Sequence, residues 1–399
     1  MTVILLIISV AVMLYSLASG RLSRSVITMP MLFTTLGFAL SEPLTGLGGL
    51  GLGREQGHAA VRLIAEVTLI LVLFADASHV RRHVLGMSWQ VPVRMLLIGM
   101  PLTIGLGTLF ISLLFPGWGL GMALLTAAVL TPTDAALGQT VTSSPDVPER
   151  LRQTVNIESG LNDGLALPFV LLGAVIAVSE MAGPDNAGLL RASIIQVGVG
   201  PVAGALVGWL VAVALDKAND AKMTEETSTG LVFTGAAFAA FLLAEVLGGN
   251  GFLSAFVAGA VFGNVYRHNI HFISEFMEGE GQMLTMASFL VFGAVLLPVG
   301  LAHGTWQSLA TAVGFLTVIR ILPVWLALAG TGLATREKLF LGWFGPRGLA
   351  SILFCVIMLE EFNLPGEDEL LACMSMTVCL SIIAHGLSAQ PMAKRIGRP

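Results

Sequence analysis

The chain has 399 residues, of which 55% are hydrophobic and only 11% are charged, with a formal net charge of −5 at pH 7. Soluble domains carry roughly 25% charged residues, so this composition excludes an ordinary soluble protein and indicates that a lipid bilayer surrounds the chain. The apolar residues form long continuous runs, which excludes an outer-membrane β-barrel, and the thinly spread charges exclude nucleic acid as a partner.

Thirteen apolar runs are candidates for membrane-spanning helices, because such a helix needs about 20 apolar residues. No positively charged segment precedes the first run, so we expect an uncleaved span rather than a signal peptide. The second and ninth runs are short. The predicted spans are 2–19, 26–42, 61–78, 89–115, 118–141, 150–179, 189–215, 229–247, 250–265, 283–302, 306–333, 338–360 and 367–389.

The positive charges in the turns predict the orientation of the spans. Only Arg54, Arg62 and Arg191 fall on the side of the N-terminus. Because short cytoplasmic loops are enriched in Lys and Arg, we expect a multi-pass cell-membrane protein with its N-terminus outside and its C-terminus in the cytoplasm. The Lys and Arg residues on the opposite side are Arg21, Arg24, Arg81, Arg82, Arg94, Arg150, Arg152, Lys217, Lys222, Arg267, Arg336, Lys338, Lys394, Arg395 and Arg398.

Spans 5 and 12 each contain a helix-breaking element near mid-membrane. Span 5 contains Thr-Pro-Thr-Asp at 131–134, and span 12 contains Phe-Gly-Pro-Arg-Gly at 344–348. Proline removes a backbone donor, so we expect both helices to be interrupted there. Interrupted helices in matching positions favour two inverted repeats of six spans around a linker span, with the substrate site at the breaks. Alternatively, the two segments are independent proline kinks.

Span 6 carries the densest polar cluster, over residues 156–164. Ser159 and Asp163 lie four residues apart and share one helix face, as do Glu158 and Asn162. Charged groups in mid-membrane are costly and therefore mark functional sites, and oxygen ligands of this kind suit a weakly bound monovalent cation. Asp134, beside the break in span 5, adds a further carboxylate. Alternatively, these groups only form hydrogen bonds with one another.

Four further polar residues lie in or near the spans. Arg320 has no obvious partner and is expected to form a structural ion pair. Glu66 is either part of an ion pathway or a satisfied core acid, and His385 is expected to be packed and hydrogen-bonded. Asp76 lies near the basic residues of 79–82, so we expect it to be solvated at the inner interface.

Four segments carry a resemblance to a known family: TPTDAAL (131–137), NIESGLNDG (156–164), GNGFLSAFVAGAVFGN (249–264) and FGPRGL (344–349). They resemble the monovalent cation:proton antiporters, in particular the NhaP-like sodium/proton branch. This resemblance implies an all-α integral membrane protein of about 13 transmembrane helices, with inverted repeats and two crossing discontinuous helices in spans 5 and 12. It also implies a homodimer in the bilayer.

The resemblance assigns roles to individual residues. Asp163 matches the carboxylate that binds cation and proton in turn, and Asn162 matches its amide neighbour. The implied Na⁺ ligands are Asp163, the side chain of Ser159 and the backbone carbonyl of Thr133. Glu158 and Asp134 match acidic groups around the ion, and Arg347 matches an arginine that pairs with Glu158.

The family further implies a moving ion-binding core, approximately 89–179 and 303–389, and a dimerisation scaffold, approximately 1–88 and 180–302. We expect exchange of Na⁺, or of Li⁺ or K⁺, for H⁺ without any cofactor. The exchange should be electroneutral, since Asp163 is one titrating carboxylate beside a neutral amide.

Three other functions are alternatives. A protease dyad of Asp134 and Asp163 would be an enzyme, but it lacks the YD and GxGD motifs. A sodium-coupled organic-solute symporter would need a wider polar cavity, and a passive cation channel would not couple to protons. The sequence does not distinguish Na⁺, Li⁺ and K⁺, whose ligand chemistry is nearly the same.

Overall fold

The computed structural model describes residues 2–22, 25–41, 54–79, 89–182, 187–268 and 271–397. Within these ranges all regular structure is helical, which confirms the predicted fold class. Four of the loop arginines used to orient the spans, Arg24, Arg81, Arg82 and Arg398, lie outside the described residues.

The helices carry the following labels, with π-helical turns at Met95–Gly99 between α4 and α5 and at Phe292–Leu296 between α12 and α13. They are α1 (Thr2–Leu22), α2 (Met29–Ala39), α3 (Arg54–His79), α4 (Gln90–Arg94), α5 (Met100–Leu114), α6 (Leu120–Val129), α7 (Ala135–Thr142), α8 (Glu149–Ala182), α9 (Ala187–Asp220), α10 (Glu226–Val246), α11 (Gly251–Val265), α12 (His271–Val291), α13 (Leu297–Ala302), α14 (Trp306–Leu316), α15 (Val318–Ala327), α16 (Thr335–Trp343), α17 (Leu349–Glu361) and α18 (Glu367–Ile396).

The helices are apolar enough for a membrane. In the described ranges, seven helical segments are long and apolar enough to cross a bilayer, and four shorter apolar helices accompany them. Large apolar side chains such as Leu17, Val202 and Val246 are exposed on helix surfaces, where lipid would cover them. The protein is therefore a multi-pass membrane protein, while the number of thirteen spans stays a prediction.

Helix α11 lies between α9 and α3 at close range. A side chain at Gly204 of α9 would collide with the backbone of Ser254 in α11, and one at Gly259 of α11 would collide with the backbone of Phe74 in α3. Small residues at such contacts let helix backbones approach closely, which is how helices associate in lipid. Helix α11 is thereby held on both sides.

The two predicted breaks are present, and they meet. Helix α6 ends at Val129 and α7 begins at Ala135, while α16 ends at Trp343 and α17 begins at Leu349. The backbone N–H of Asp134 in the first break donates to the carbonyl of Pro346 in the second, at 2.8 Å. Spans 5 and 12 are thus discontinuous helices that cross at their breaks, as predicted.

Candidate cation-binding site

Asp134 joins the two breaks by accepting hydrogen bonds from two helix N-termini. Its carboxylate accepts from the N–H of Leu137 in α7 at 3.1 Å and from the N–H of Leu349 in α17 at 2.6 Å. A carboxylate suits this place because helix N-termini present unpaired N–H groups and partial positive charge. Gly348 is required here, since a side chain at this position would collide with the Asp134 carboxylate.

Arg347 caps a helix C-terminus, that of α6. Its Nη1 donates to the carbonyl oxygens of Thr131 and of Pro132, the latter at 3.1 Å, just beyond the C-terminus of α6. The guanidinium therefore neutralises the partial negative charge of this helix end. Its Nε and Nη2 have no hydrogen-bond partner among the described residues.

Glu158 pairs with Arg320, and the predicted pair with Arg347 is wrong. Two nitrogens of the Arg320 guanidinium lie 2.9 Å from the two carboxylate oxygens of Glu158, and both side chains are buried. The break in span 12 directs Arg347 to the α6 carbonyls, whereas α15 brings Arg320 to α8. Arg320 is thus in a structural ion pair, as expected, with a partner that the sequence did not identify.

Three polar side chains of α8 are linked to Thr133 in the first break. The Thr133 hydroxyl donates to Glu158 at 3.2 Å and lies 3.1 Å from the Ser159 hydroxyl, and it accepts from the Asn162 amide. The structure therefore brings Thr133, Glu158, Ser159 and Asn162 together as predicted. The resemblance implied a role for the Thr133 carbonyl, and the hydroxyl is the group engaged in these contacts.

Asp163 is the unsatisfied member of this site. Its side chain is only 7% exposed, and its Oδ1 has no hydrogen-bond partner among the described residues. The carboxylates of Asp76, Asp134 and Glu158 are close enough to repel it electrostatically. A buried carboxylate without a partner is costly, so this oxygen calls for a bound cation or a proton.

Asp76 is partly buried and approaches the site from α3, which the sequence did not predict; its solvation at the inner interface stays a prediction. It lies on α3 facing α8, and a Cβ at Gly160 would stand 3.7 Å from its own Cβ. Its carboxylate interacts with those of Asp134 and Asp163. The sequence contained an indication of this placement: Asp76 is the one charged residue in the apolar run 69–77, and a lone charge inside a span often marks a functional site.

Phe256 of α11 packs against α8 at Gly164, the residue after Asp163. Its ring fills the space above Gly164, where any side chain would collide with it. The two glycines of the cluster, Gly160 and Gly164, are four residues apart on α8, so they bring a polar residue of α3 and an aromatic residue of α11 against the same helix face. The site thus lies where α8 contacts both α3 and α11.

Glu66 and His385 have partners outside the polar cluster around Thr133. Glu66 pairs with Arg62 one turn earlier on α3 at 2.7 Å, with both side chains partly exposed. His385 is buried, and its two ring nitrogens lie within hydrogen-bond distance of Ser381 and Trp343, as expected for a packed histidine.

Comparison with known proteins supports the likeness seen in the motifs. The family model described as "Sodium/hydrogen exchanger, transmembrane" matches residues 5–395. The K(+)/H(+) antiporter NhaP2 of Shewanella oneidensis is 26% identical over 381 residues, which cover 95% of this chain and 64% of the relative. The Na(+)/H(+) antiporter ApNhaP of Aphanothece halophytica is 26% identical, with 92% of this chain and 70% of the relative covered.

The solved structure of the sodium proton antiporter MjNhaP1 from Methanocaldococcus jannaschii has the same fold. It superposes with a TM-score of 0.77 at 19% identity, covering 100% of this chain and 99% of that one. The chain spans less than two thirds of the length of the NhaP2 relative. The family model covers nearly all of the present chain, and we conclude that it belongs to the sodium/hydrogen exchanger family of membrane proteins.

Proposed function

We propose that the protein is a secondary transporter that exchanges a monovalent cation for a proton, with Asp163 binding each in turn. The observation that carries the proposal is the buried Oδ1 of Asp163, which has no partner among the described residues. In lipid, such a group is costly and marks a functional site, and a bound cation or proton would neutralise it. The family membership supports the same conclusion.

The ligands proposed for the cation are neutral oxygens around this one carboxylate. Ser159 and Thr133 lie together at the first break, and Asn162 contributes an amide whose Oδ1 has no partner among the described residues. Ligands of this kind suit Na⁺, Li⁺ or K⁺. Named relatives include both a K(+)/H(+) and a Na(+)/H(+) antiporter, so both ions are candidate substrates.

We further propose that the exchange is electroneutral, one cation for one proton. Glu158 is held by Arg320, and Asp134 by two backbone N–H groups, so their charges are compensated in place. Asn162 cannot release a proton at any usable pH. With Asp76 in one protonation state throughout, the site then has the same charge when Asp163 carries Na⁺ as when it carries H⁺.

Alternating access would move the ion-binding core past the scaffold. We propose the divisions 89–179 and 303–389 for the core and 1–88 and 180–302 for the scaffold, in a homodimer with its N-terminus outside. The contacts of α8 with Asp76 on α3 and with Phe256 on α11 cross this division. In this proposal, these contacts change as the site opens to one side or the other.

A proteoliposome assay tests the function directly. Purified protein is reconstituted with an internal pH dye, and gradients of Na⁺, Li⁺ and K⁺ are imposed in turn. The expected result is cation-driven proton flux that Asp163→Asn vesicles lack. For an ion other than K⁺, a potassium ionophore then clamps the membrane potential, provided that K⁺ is not itself transported.

An imposed potential should leave the rate of an electroneutral exchanger unchanged, although it is worth about 2.3 kcal/mol per charge per 100 mV. Exchange that the potential accelerates would refute the proposed stoichiometry but not the exchange. Cation flux without any proton flux would instead refute antiport and indicate a channel. Cation flux that requires an organic solute would indicate the symporter.

A further inference from the structure

The crossing of the two breaks leaves four helix ends inside the protein. Asp134 closes the N-termini of α7 and α17, and Arg347 closes the C-terminus of α6. The remaining end is the C-terminus of α16, at Trp343. Helix ends carry unsatisfied backbone groups, and burying them without partners is costly, so this end also needs donors. The backbone N–H of Gly345 donates to the Trp343 carbonyl at 2.8 Å.

His385 of α18 supplies a second donor, from a side chain, to the same carbonyl. Its Nε2 lies 2.9 Å from the carbonyl oxygen of Trp343, and the histidine is 1% exposed. Because a carbonyl only accepts, Nε2 must carry a proton. Nδ1 lies 3.1 Å from the Ser381 hydroxyl and 3.0 Å from the Ser381 carbonyl, so it serves as an acceptor or, in the doubly protonated ring, as a donor. Nε2 donates to Trp343 in both states.

Ser381 holds the other side of the same break. Its hydroxyl accepts from the backbone N–H of Arg347 at 2.6 Å, and the side chain is buried. Ser381 and His385 are four residues apart and share one face of α18. One helix face therefore binds the last carbonyl before the break and an N–H within it.

The position of Arg347 affects the cation site through two contacts, one made by its side chain and one made by Leu349. The Arg347 side chain closes the Thr131 and Pro132 carbonyls beside Thr133, and Leu349, two residues further on, donates to Asp134. A shift of the Arg347 backbone by a few tenths of an ångström would disturb both contacts. The Ser381 hydrogen bond is made by the Arg347 backbone itself.

We propose that Ser381 and His385 are positioning residues for cation exchange, because they hold the second break in the geometry that shapes the cation site. The inference rests on the proposed function. Neither residue needs to touch the ion: each acts through the backbone of the break. Removing either should weaken cation binding more than it weakens the fold.

The test compares four variants in the proteoliposome assay. His385→Ala and Ser381→Ala remove the two bonds, whereas His385→Gln keeps an amide donor for the Trp343 carbonyl. Thr377→Val is the matched control, since the buried Thr377 hydroxyl donates to the Cys373 carbonyl within α18 and has no other partner among the described residues. For each variant, the KM for the cation, the maximal rate and the thermal unfolding of the purified protein are measured.

We expect the alanine variants to raise the cation KM about three- to thirtyfold, the range expected when a buried hydrogen bond is lost. His385→Gln should return the KM to within about threefold of the wild type, and Thr377→Val should leave it unchanged. Unchanged KM in both alanine variants would overturn the inference, and so would a His385→Gln variant no better than His385→Ala.

Two further results separate the inference from other failures. If His385→Ala does not fold, Ser381→Ala and His385→Gln still test the positioning role. An unchanged cation KM in Ser381→Ala would then refute the proposal that α18 positions the second break for cation binding. If Asp163→Asn exchanges cations as fast as the wild type, the proposed function fails. Loss of exchange in Asp163→Asn with no KM change in the α18 variants refutes only the positioning role.

Discussion

Two carboxylates on one helix have opposite surroundings. Glu158 and Asp163 lie five residues apart on α8, and both are buried. Glu158 is held by two nitrogens of Arg320 and by the Thr133 hydroxyl, so both of its oxygens have partners. Asp163 has an oxygen without a partner among the described residues and faces other carboxylates.

The difference shows how a membrane protein can separate structure from transport within one turn and a half of helix. The closed ion pair connects α8 to α15. In the proposed cycle, the open carboxylate of Asp163 is the group that changes its charge state. We therefore propose a structural role for Glu158 and a transport role for Asp163, and the following predictions test that division.

The largest expected effect is on transport in Asp163→Asn. The amide is nearly the same shape as the carboxylate but carries no charge and binds no proton, so exchange should be abolished. The thermal unfolding temperature should equal or exceed that of the wild type, because a repelled buried charge has been removed. Robust cation-driven proton flux in this variant would contradict the assignment.

The second prediction concerns the stability of the ion pair. Arg320→Ala strands the Glu158 charge in the interior, which typically costs about 3–5 kcal/mol, so thermal stability and activity should fall together. Arg62→Ala, which removes a partly exposed pair with Glu66, is the control and should cost about 1 kcal/mol or less. A purified Arg320→Ala protein of unchanged stability would show that the pair is not structural.

Combining Arg320→Met with Glu158→Gln sharpens this test. The double variant removes both charges together, so no charge is left stranded, and it should be more stable than Arg320→Ala. A double variant as unstable as Arg320→Ala would indicate that packing, rather than the lost charge, causes the defect.

A smaller effect is expected from Asp76→Asn. The Asp76 carboxylate attracts both cation and proton to Asp163, so its removal should raise the cation KM roughly three- to thirtyfold and make Asp163 release its proton more readily. Transport should persist, with the acid limb of its pH profile moved to lower pH. Glu66→Gln on the same helix is the control. Complete loss of exchange in Asp76→Asn would make Asp76 a second carrier.

Much of the site was predictable because its residues cluster in the sequence. The polar run 156–164 and the two proline breaks stand out in apolar spans, and the structure brings them together. These features depend on local chemistry: proline interrupts helices, and charged groups inside spans are rare.

The partners across the fold were not predictable in the same way. Arg320 and Arg347 are both lone arginines in late spans, and nothing local distinguishes which one reaches Glu158. The approach of Asp76 to the site was not predicted, because the helix face that α3 turns to α8 is a tertiary property. Which of these distant residues pair is set by how the two interrupted helices cross, and that crossing is seen only in the folded structure.

The smallest expected effect is on how the pH dependence of exchange changes with cation concentration. Protons and cations compete for Asp163, so activity should be bell-shaped in pH and should report properties of the whole site. At low pH protons occupy the carboxylate, and a tenfold rise in cation should displace them, moving the acid limb to lower pH by up to about one unit. An acid limb that ignores the cation concentration would indicate a separate pH sensor.

Proton release on cation binding tests the central claim most directly. Purified protein in weakly buffered detergent is brought to a pH on the acid limb, where Asp163 holds its proton, and the transported cation is added while a dye reports the pH. The account predicts release of up to about one proton per bound cation in the wild type and none in Asp163→Asn, because binding of one ligand must expel the other. Cation binding without proton release, or equal release from Asp163→Asn, would contradict a shared carboxylate at Asp163.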